Sequence, residues 1–151
     1  MIVLDTIRPL ADRYDGFVCD LWGVVHDGRT VFAGAAAALR VLRDLGKPVV
    51  FLTNAPRRSF VIEEQLVGFD IPRDLYRGAM SSGEAAWEMM RDRADPFFAA
   101  LGHRALHLGL ERDLSVTRDI GLTLVSDPAE AEFVLNTGPD PERGNRSERA
   151  Y

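Results

Sequence analysis

The sequence predicts an α/β fold built on a parallel sheet. Short apolar runs such as "VVFLT" at 49–53 are typical of strands that are buried on both faces of such a sheet. Amphipathic segments with helical spacing separate these runs. Two of the runs end in polar residues, at Asp20 and at Thr53-Asn54. Strands that alternate with helices in this way form right-handed crossovers, so parallel neighbours are expected.

Periodicity and chain-breaking residues delimit the individual elements. The amphipathic segment 35–45, which stops at Gly46, is the clearest helix. In chain order we predict a helix over 5–15, a strand over 17–20, a turn or small flap over 21–30, a helix over 35–45, a strand over 48–54, a helix over 57–67, a strand over 75–80, a helix over 84–94, and strands over 104–108, 122–125 and 132–136.

Composition narrows the class of protein. The chain has 151 residues, about the size of one average domain, and a net charge of −5, which argues against nucleic acid as a partner. No apolar run approaches the roughly 20 residues of a membrane span, and the N-terminus has no export signal, so we expect a cytoplasmic protein. The single cysteine, Cys19, excludes an intrachain disulfide framework.

The polar ends of the first two strands indicate a site. Ligands of open α/β sheets bind outside the carboxyl ends of the strands, and one crossover helix separates Asp20 from Thr53 and Asn54. A carboxylate at the end of a buried strand needs a cation or hydrogen-bond donors, and a divalent metal meets that need. This set suits a carboxylate nucleophile that attacks phosphorus while a hydroxyl, an amide and backbone N–H groups hold the transferred group.

Three segments carry a resemblance to a known family. "DLWGV" at 20–24 resembles the first motif of the haloacid dehalogenase superfamily, and "VVFLTNAPR" at 49–57 resembles the second. "LVGFDIPRDLYRGAMSSGEAAW" is similar to subfamily IIA, the phosphatases of 4-nitrophenyl phosphate and sugar phosphate type. The resemblance implies a Rossmann-like core whose N-terminal part is 1–82. It also implies that an α/β cap of the C2 type begins over 83–151, of which we expect 137–151 to lack packed structure.

The resemblance also implies residue roles. Asp20 would be the nucleophile that becomes an aspartyl-phosphate and a ligand of Mg²⁺, and the main-chain carbonyl of Trp22 would be a second metal ligand. Thr53 would bind the phosphoryl group with the help of Asn54. Gly23 would let the chain turn back close to the metal. The implied substrate is a small phosphorylated metabolite.

Two departures from the family pattern predict slow or absent turnover. Trp22 stands where the phosphatases carry the general acid, a group worth roughly 10²- to 10⁴-fold in rate, and either His26 or Asp27 could substitute. The later lysine and acidic motifs are absent, because Lys47 is the only lysine and precedes the second strand. We therefore expect a chain truncated within the cap. The alternative is a non-catalytic phosphometabolite-binding or protein-interaction module, and an unpaired sheet edge would favour a homodimer.

Simpler readings of the same residues remain open. Asp20 and Gly23 could form a type I turn, and Thr53-Asn54 could be loop or helix-entry residues. Trp22 could be a core aromatic side chain. The remaining open assignments are Arg57 and Arg58 as phosphate contacts or solvated cations, Cys19 as a small buried apolar residue, and Ser82 as a helix cap.

Overall fold

The computed structural model describes residues 4–139. Most of the tail predicted over 137–151 lies outside this range. The helices are α1 (Arg8–Ala11), α2 (Ala35–Asp44), α3 (Ser59–Gly68), α4 (Ser82–Asp92) and α5 (Pro96–Ala100). The strands are β1 (Phe17–Cys19), β2 (Val49–Thr53), β3 (Gly78–Ser81), β4 (Arg104–Leu108), β5 (Thr123–Val125) and β6 (Phe133–Asn136), and 3₁₀ turns cover Arg73–Leu75, Glu111–Thr117 and Pro128–Glu130. None of the helices in this range combines the length and apolar content that crossing a bilayer requires.

The chain divides into two compact units. Within the described residues, the first unit contains 4–55 together with Ser59–Ser82, and the second contains Pro56–Arg58 together with 83–139. Each unit has its own three-stranded sheet, in the order β1-β2-β3 and β5-β4-β6, and every strand pair is parallel. The predicted α/β class with parallel sheets is therefore confirmed.

The first unit has its core on one face of its sheet. The register aligns Cys19 with Phe51 and Thr53 with Ser81. Phe51 is fully buried, in a cluster with side chains from α2 and α3. The clustered helix residues are Leu39, Leu42, Ile62 and Leu66. The predicted helix over 5–15 is only the single turn α1, where Ala11 alone is buried, so packing stabilises little of it.

The opposite face of this sheet is exposed. Val18 is 73% exposed and Leu52 is 52% exposed, and Val50 and Met80 are exposed on the same face. The expectation that "VVFLT" is buried on both faces was wrong. Every strand residue in the core cluster comes from the other face, because β2 alternates strictly between buried and exposed positions.

The second unit packs around one tryptophan. Trp87 is buried with Met90 and Val116, and its indole N–H donates to the Arg118 carbonyl at 2.7 Å. The Arg58 guanidinium lies 3.4 Å from the centre of the ring. Such a contact stabilises more when it is shielded from water. The three strands predicted for this part of the sequence are confirmed to within one residue.

Glu132 links the start of β6 to the start of β4. Its Oε2 accepts hydrogen bonds from the backbone N–H groups of His103 (2.7 Å) and Arg104 (2.8 Å). The N–H of Arg104, followed by that of His103, holds the pKa of the Glu132 carboxyl below its ordinary value of 4.5. Because the folded pKa is depressed, the carboxylate stabilises the fold fully above about pH 4.5 and loses this contribution as the pH falls through the folded value.

We therefore expect Glu132→Gln to lower the free energy of unfolding at neutral pH, and the difference from the unsubstituted chain to shrink in acid. Urea titrations of both proteins at neutral pH and in acid measure this difference in the free energy of unfolding. Glu130→Gln is the control, because Glu130 is an exposed neighbour in the preceding 3₁₀ turn. A loss of equal size at both pH values would contradict the charge argument.

Candidate active site

The first sheet brings the two predicted site segments to one edge. β1 ends at Cys19 and β2 ends at Thr53, and the strands are parallel neighbours. Cys19 and Phe51 are the last residues paired between β1 and β2. Asp20 lies one residue beyond Cys19, and Thr53 lies two residues beyond Phe51. With strands about 4.8 Å apart and a rise of about 3.3 Å per residue, the two backbones lie roughly 6 Å apart. Asp20 and Thr53 are thus close in the backbone.

Asp20 is exposed at this edge. Its Oδ1 accepts a hydrogen bond from the backbone N–H of Leu21 at 2.7 Å, which engages one of the two carboxylate oxygens. The expectation of a buried carboxylate was wrong, because Asp20 continues from the exposed side of the sheet that carries Val18. An exposed carboxylate needs no partner for stability, and it is accessible to a ligand.

Thr53 faces inward instead. It is only 7% exposed, and its Oγ1 accepts a long hydrogen bond of 3.4 Å from the backbone N–H of Ala55. Asn54 is exposed. Thr53 and Asn54 are not helix-entry residues, because the next helix, α3, begins only at Ser59. The sheet therefore brings the Asp20 and Thr53 backbones together but does not present the two side chains on one exposed surface.

Ser82 holds the loop that follows Thr53. Its hydroxyl donates to the carbonyl oxygens of Asn54 (2.8 Å) and Ala55 (3.0 Å), and Ser82 is itself the first residue of α4. The sequence predicted a helix cap at this position, and the hydroxyl is directed at the loop instead. This contact spans 28 positions, so no local pattern could have indicated it.

The segment 21–32, called the flap below, folds on its own backbone. Gly23 has φ = +76°, a conformation that favours glycine, and its N–H donates to the His26 carbonyl at 2.9 Å. Asp27 Oδ1 accepts from the N–H groups of Arg29 (2.8 Å) and Thr30 (2.7 Å). These bonds give the flap a defined turn directly after Asp20.

Neither proposed substitute acid is placed for that task. The N–H of Thr30, followed by that of Arg29, lowers the pKa of Asp27, whereas a general acid at neutral pH needs a raised carboxyl pKa. His26 is only 5% exposed; its Nδ1 accepts from the Gly28 N–H at 3.0 Å and its ring lies against Phe69. Both side chains serve the flap structure.

Trp22 is not a core residue. The side chain is 62% exposed and rests on the flap. Within residues 4–139, no hydrogen bond is made to its main-chain carbonyl oxygen. That oxygen and the Asp20 carboxylate are hard oxygen ligands of the type Mg²⁺ prefers. Among residues 4–139, no group of three or more His, Cys, Asp or Glu side chains is placed to hold a metal ion.

Cys19 does not compete with Asp20 as a nucleophile. Burial, followed by the charge of Asp20, raises the pKa of the Cys19 thiol. The thiol donates to the Asp20 carbonyl at 3.2 Å. A protonated thiol is a poor nucleophile, so the half-buried Cys19 is a packing residue.

Arg57 and Arg58 form ion pairs with acidic side chains of the second unit. Arg58 makes a two-pronged ion pair with Glu84, at 2.8 and 2.9 Å, and Arg57 lies 3.5 Å from Asp113. Both arginine side chains are mostly buried. They are therefore neither solvated cations nor exposed phosphate contacts.

Comparison with known proteins identifies the family. The sequence profile of haloacid dehalogenase-like hydrolases matches residues 17–123, which include both predicted motifs. The chain belongs to the haloacid dehalogenase-like hydrolases. The family resemblance predicted from 20–24 and 49–57 is confirmed, and the curated relatives agree with the predicted subfamily IIA.

Relatives of this hydrolase include named phosphatases. It is 27% identical to the 5'-nucleotidase YutF of Bacillus subtilis over 123 residues, which is 81% of this chain and 44% of the relative. It is 26% identical to the 4-nitrophenylphosphatase of Schizosaccharomyces pombe, covering 91% of this chain and 47% of the relative. A haloacid dehalogenase-like hydrolase from Brucella suis superposes with a TM-score of 0.78 at 32% identity, covering 91% of this chain and 47% of that one. The chain spans about half the length of these relatives.

Proposed function

We propose that this hydrolase is a Mg²⁺-dependent phosphatase of a small phosphomonoester, with Asp20 as the nucleophile. The observation that supports it best is the placement of Asp20 and Thr53 one strand apart at the carboxyl ends of β1 and β2. The phosphatase names of its relatives agree with this reading. We assign 1–82 to the N-terminal part of the core and 83–151 to the beginning of the cap.

The chemistry follows from the exposed carboxylate. A carboxylate oxygen of Asp20 attacks phosphorus, the bond from phosphorus to the ester oxygen breaks, and the leaving alcohol takes a proton from solvent. Water then hydrolyses the aspartyl-phosphate and regenerates Asp20. Mg²⁺, held by the Asp20 carboxylate and the Trp22 carbonyl, would neutralise phosphate charge. The Thr53 hydroxyl, whose oxygen accepts from the Ala55 N–H, would donate its own hydrogen to a phosphoryl oxygen, with Asn54 as a second donor.

Trp22→Asp is expected to raise kcat. The substitution supplies a general acid at the family position, worth about 10²-fold or more when the leaving group is a poor one. The gain should be large for an alkyl phosphate and small for 4-nitrophenyl phosphate, whose leaving group needs no proton. Steady-state rates on both esters measure it, with Val24→Asp on the same exposed flap as the control.

A second candidate is the non-catalytic module. It is favoured by the exposed apolar face formed by Val18, Val50, Leu52 and Met80, and by the absence of an acid at position 22. Its partner would be a second copy of this chain, which covers the same face in return. Hydrolysis that stays at the buffer rate both without substitution and with Trp22→Asp would favour this module. Sedimentation as a stable monomer would contradict the homodimer.

A further inference from the structure

The Trp22 indole is both fixed against the flap and exposed to solvent, and its position in the family motif does not account for this arrangement. We propose that its indole is a stacking surface for the leaving group, so that the site selects phosphomonoesters in which a planar aromatic ring lies close to the ester oxygen. This inference rests on the proposed function, because it requires Asp20 to bind the phosphoryl group.

The indole is held by a glycine. A Cβ at Gly28 would lie 2.4 Å from Cζ3 and 2.5 Å from Cη2 of Trp22, so the six-membered ring edge rests directly on the Gly28 backbone. Gly28 also has φ = +90°, where other residues are strained. A side chain at this position would displace the ring.

A second contact orients the ring. The Trp22 and His26 rings meet edge to face, with centroids 6.0 Å apart and an angle of 81° between their planes. His26 is itself fixed by the Gly28 N–H and by Phe69, at a centroid distance of 5.0 Å. The indole thus has a defined orientation before any ligand binds, which lowers the entropy cost of stacking.

The fixed ring is nevertheless open to solvent. Trp22 is 62% exposed, and Val24 and Phe32 of the same flap are exposed as well. A large aromatic side chain that is both oriented and uncovered is suited to a ligand with a flat apolar surface, since ring pairs attract beyond their buried area. A sugar or short alkyl group would gain little from this surface.

The distance from Asp20 fits a ring near the ester oxygen. Trp22 follows Asp20 by two residues, so their Cα atoms are at most about 7 Å apart. An aromatic ring joined to the ester oxygen directly, or through one carbon, spans a similar length from phosphorus.

The test compares two non-hydrolysable probes, phenylphosphonate and methylphosphonate, by calorimetric titration with Mg²⁺ present. We expect the unsubstituted chain to bind phenylphosphonate about fivefold to tenfold more tightly. Trp22→Leu should bring the ratio of the two Kd values close to one, and Trp22→Phe should retain part of the preference. Gly28→Ala should reduce the ratio although the indole is still present. Phe32→Leu, on the same flap, should leave the ratio unchanged.

The outcomes separate the two proposals. A phenyl preference that survives Trp22→Leu, or equal binding of both probes by the unsubstituted chain, overturns the stacking surface and leaves the phosphatase standing. If neither probe binds and no ester is hydrolysed, the proposed function fails and the stacking surface fails with it. Circular dichroism of each variant checks that the fold is intact.

Discussion

Asp20→Asn is expected to lower kcat/KM for 4-nitrophenyl phosphate with Mg²⁺ by at least about 10³-fold, since removal of a catalytic nucleophile costs this much or more. An amide does not attack phosphorus and is a weaker metal ligand. The fold should be unaffected, because Asp20 is exposed and the asparagine Oδ1 can accept the same hydrogen bond from the Leu21 N–H. Equal melting temperatures would show that the lost rate is chemical in origin.

The matched control for this loss is Asp15→Asn. Asp15 lies just before β1, its side chain is fully exposed, and its ion pair with Lys47 is long, at 3.9 Å. Activity should be retained in this variant. Chelation of Mg²⁺ should reproduce the loss seen with Asp20→Asn. Unchanged hydrolysis by the Asp20 variant would refute the proposed nucleophile and favour the non-catalytic module.

Gly83→Ala is expected to destabilise the second unit by about 1–3 kcal/mol or more. Gly83 is buried in the first turn of α4, where a Cβ would lie 2.5 Å from Arg57 N and 2.5 Å from Pro56 C. These are backbone atoms of a segment held by the Arg58 N–H donating to Ser115 Oγ at 3.1 Å and by the ion pair with Glu84. The segment cannot move aside without breaking these contacts.

The control is a second helical glycine. Gly68 ends α3, and a Cβ there would meet no atom within 4 Å. Gly68→Ala should therefore stabilise slightly, by up to about 1 kcal/mol, because alanine has the higher helix propensity. Urea unfolding followed by circular dichroism should give opposite signs for the two variants. Loss of similar size in both would mean that the close packing at Gly83 is not the cause.

The sequence predicted where the backbone of the site residues lies, but not the direction of their side chains. Asp20 and Thr53 each follow an apolar run, and parallel strands bring their carboxyl ends to one edge. The direction of the two side chains was not predictable, because Asp20 lies beyond the last paired residue of its strand. Its exposure and the inward turn of Thr53 depend on which sheet face packs against helices.

The sequence by itself determined most of the order of strands and helices and the parallel pairing, since local periodicity and the alternation of elements specify these. It also carried the two segments that resemble the family motifs. The tertiary structure alone decided that Val18 and Leu52 are exposed, that Ser82 holds the loop after Thr53, and that Pro56–Arg58 pack within the second unit. The physical reason is that an apolar run has the same side chains whether one or both of its faces are covered. Contacts between residues some 26 or more positions apart leave no local signal.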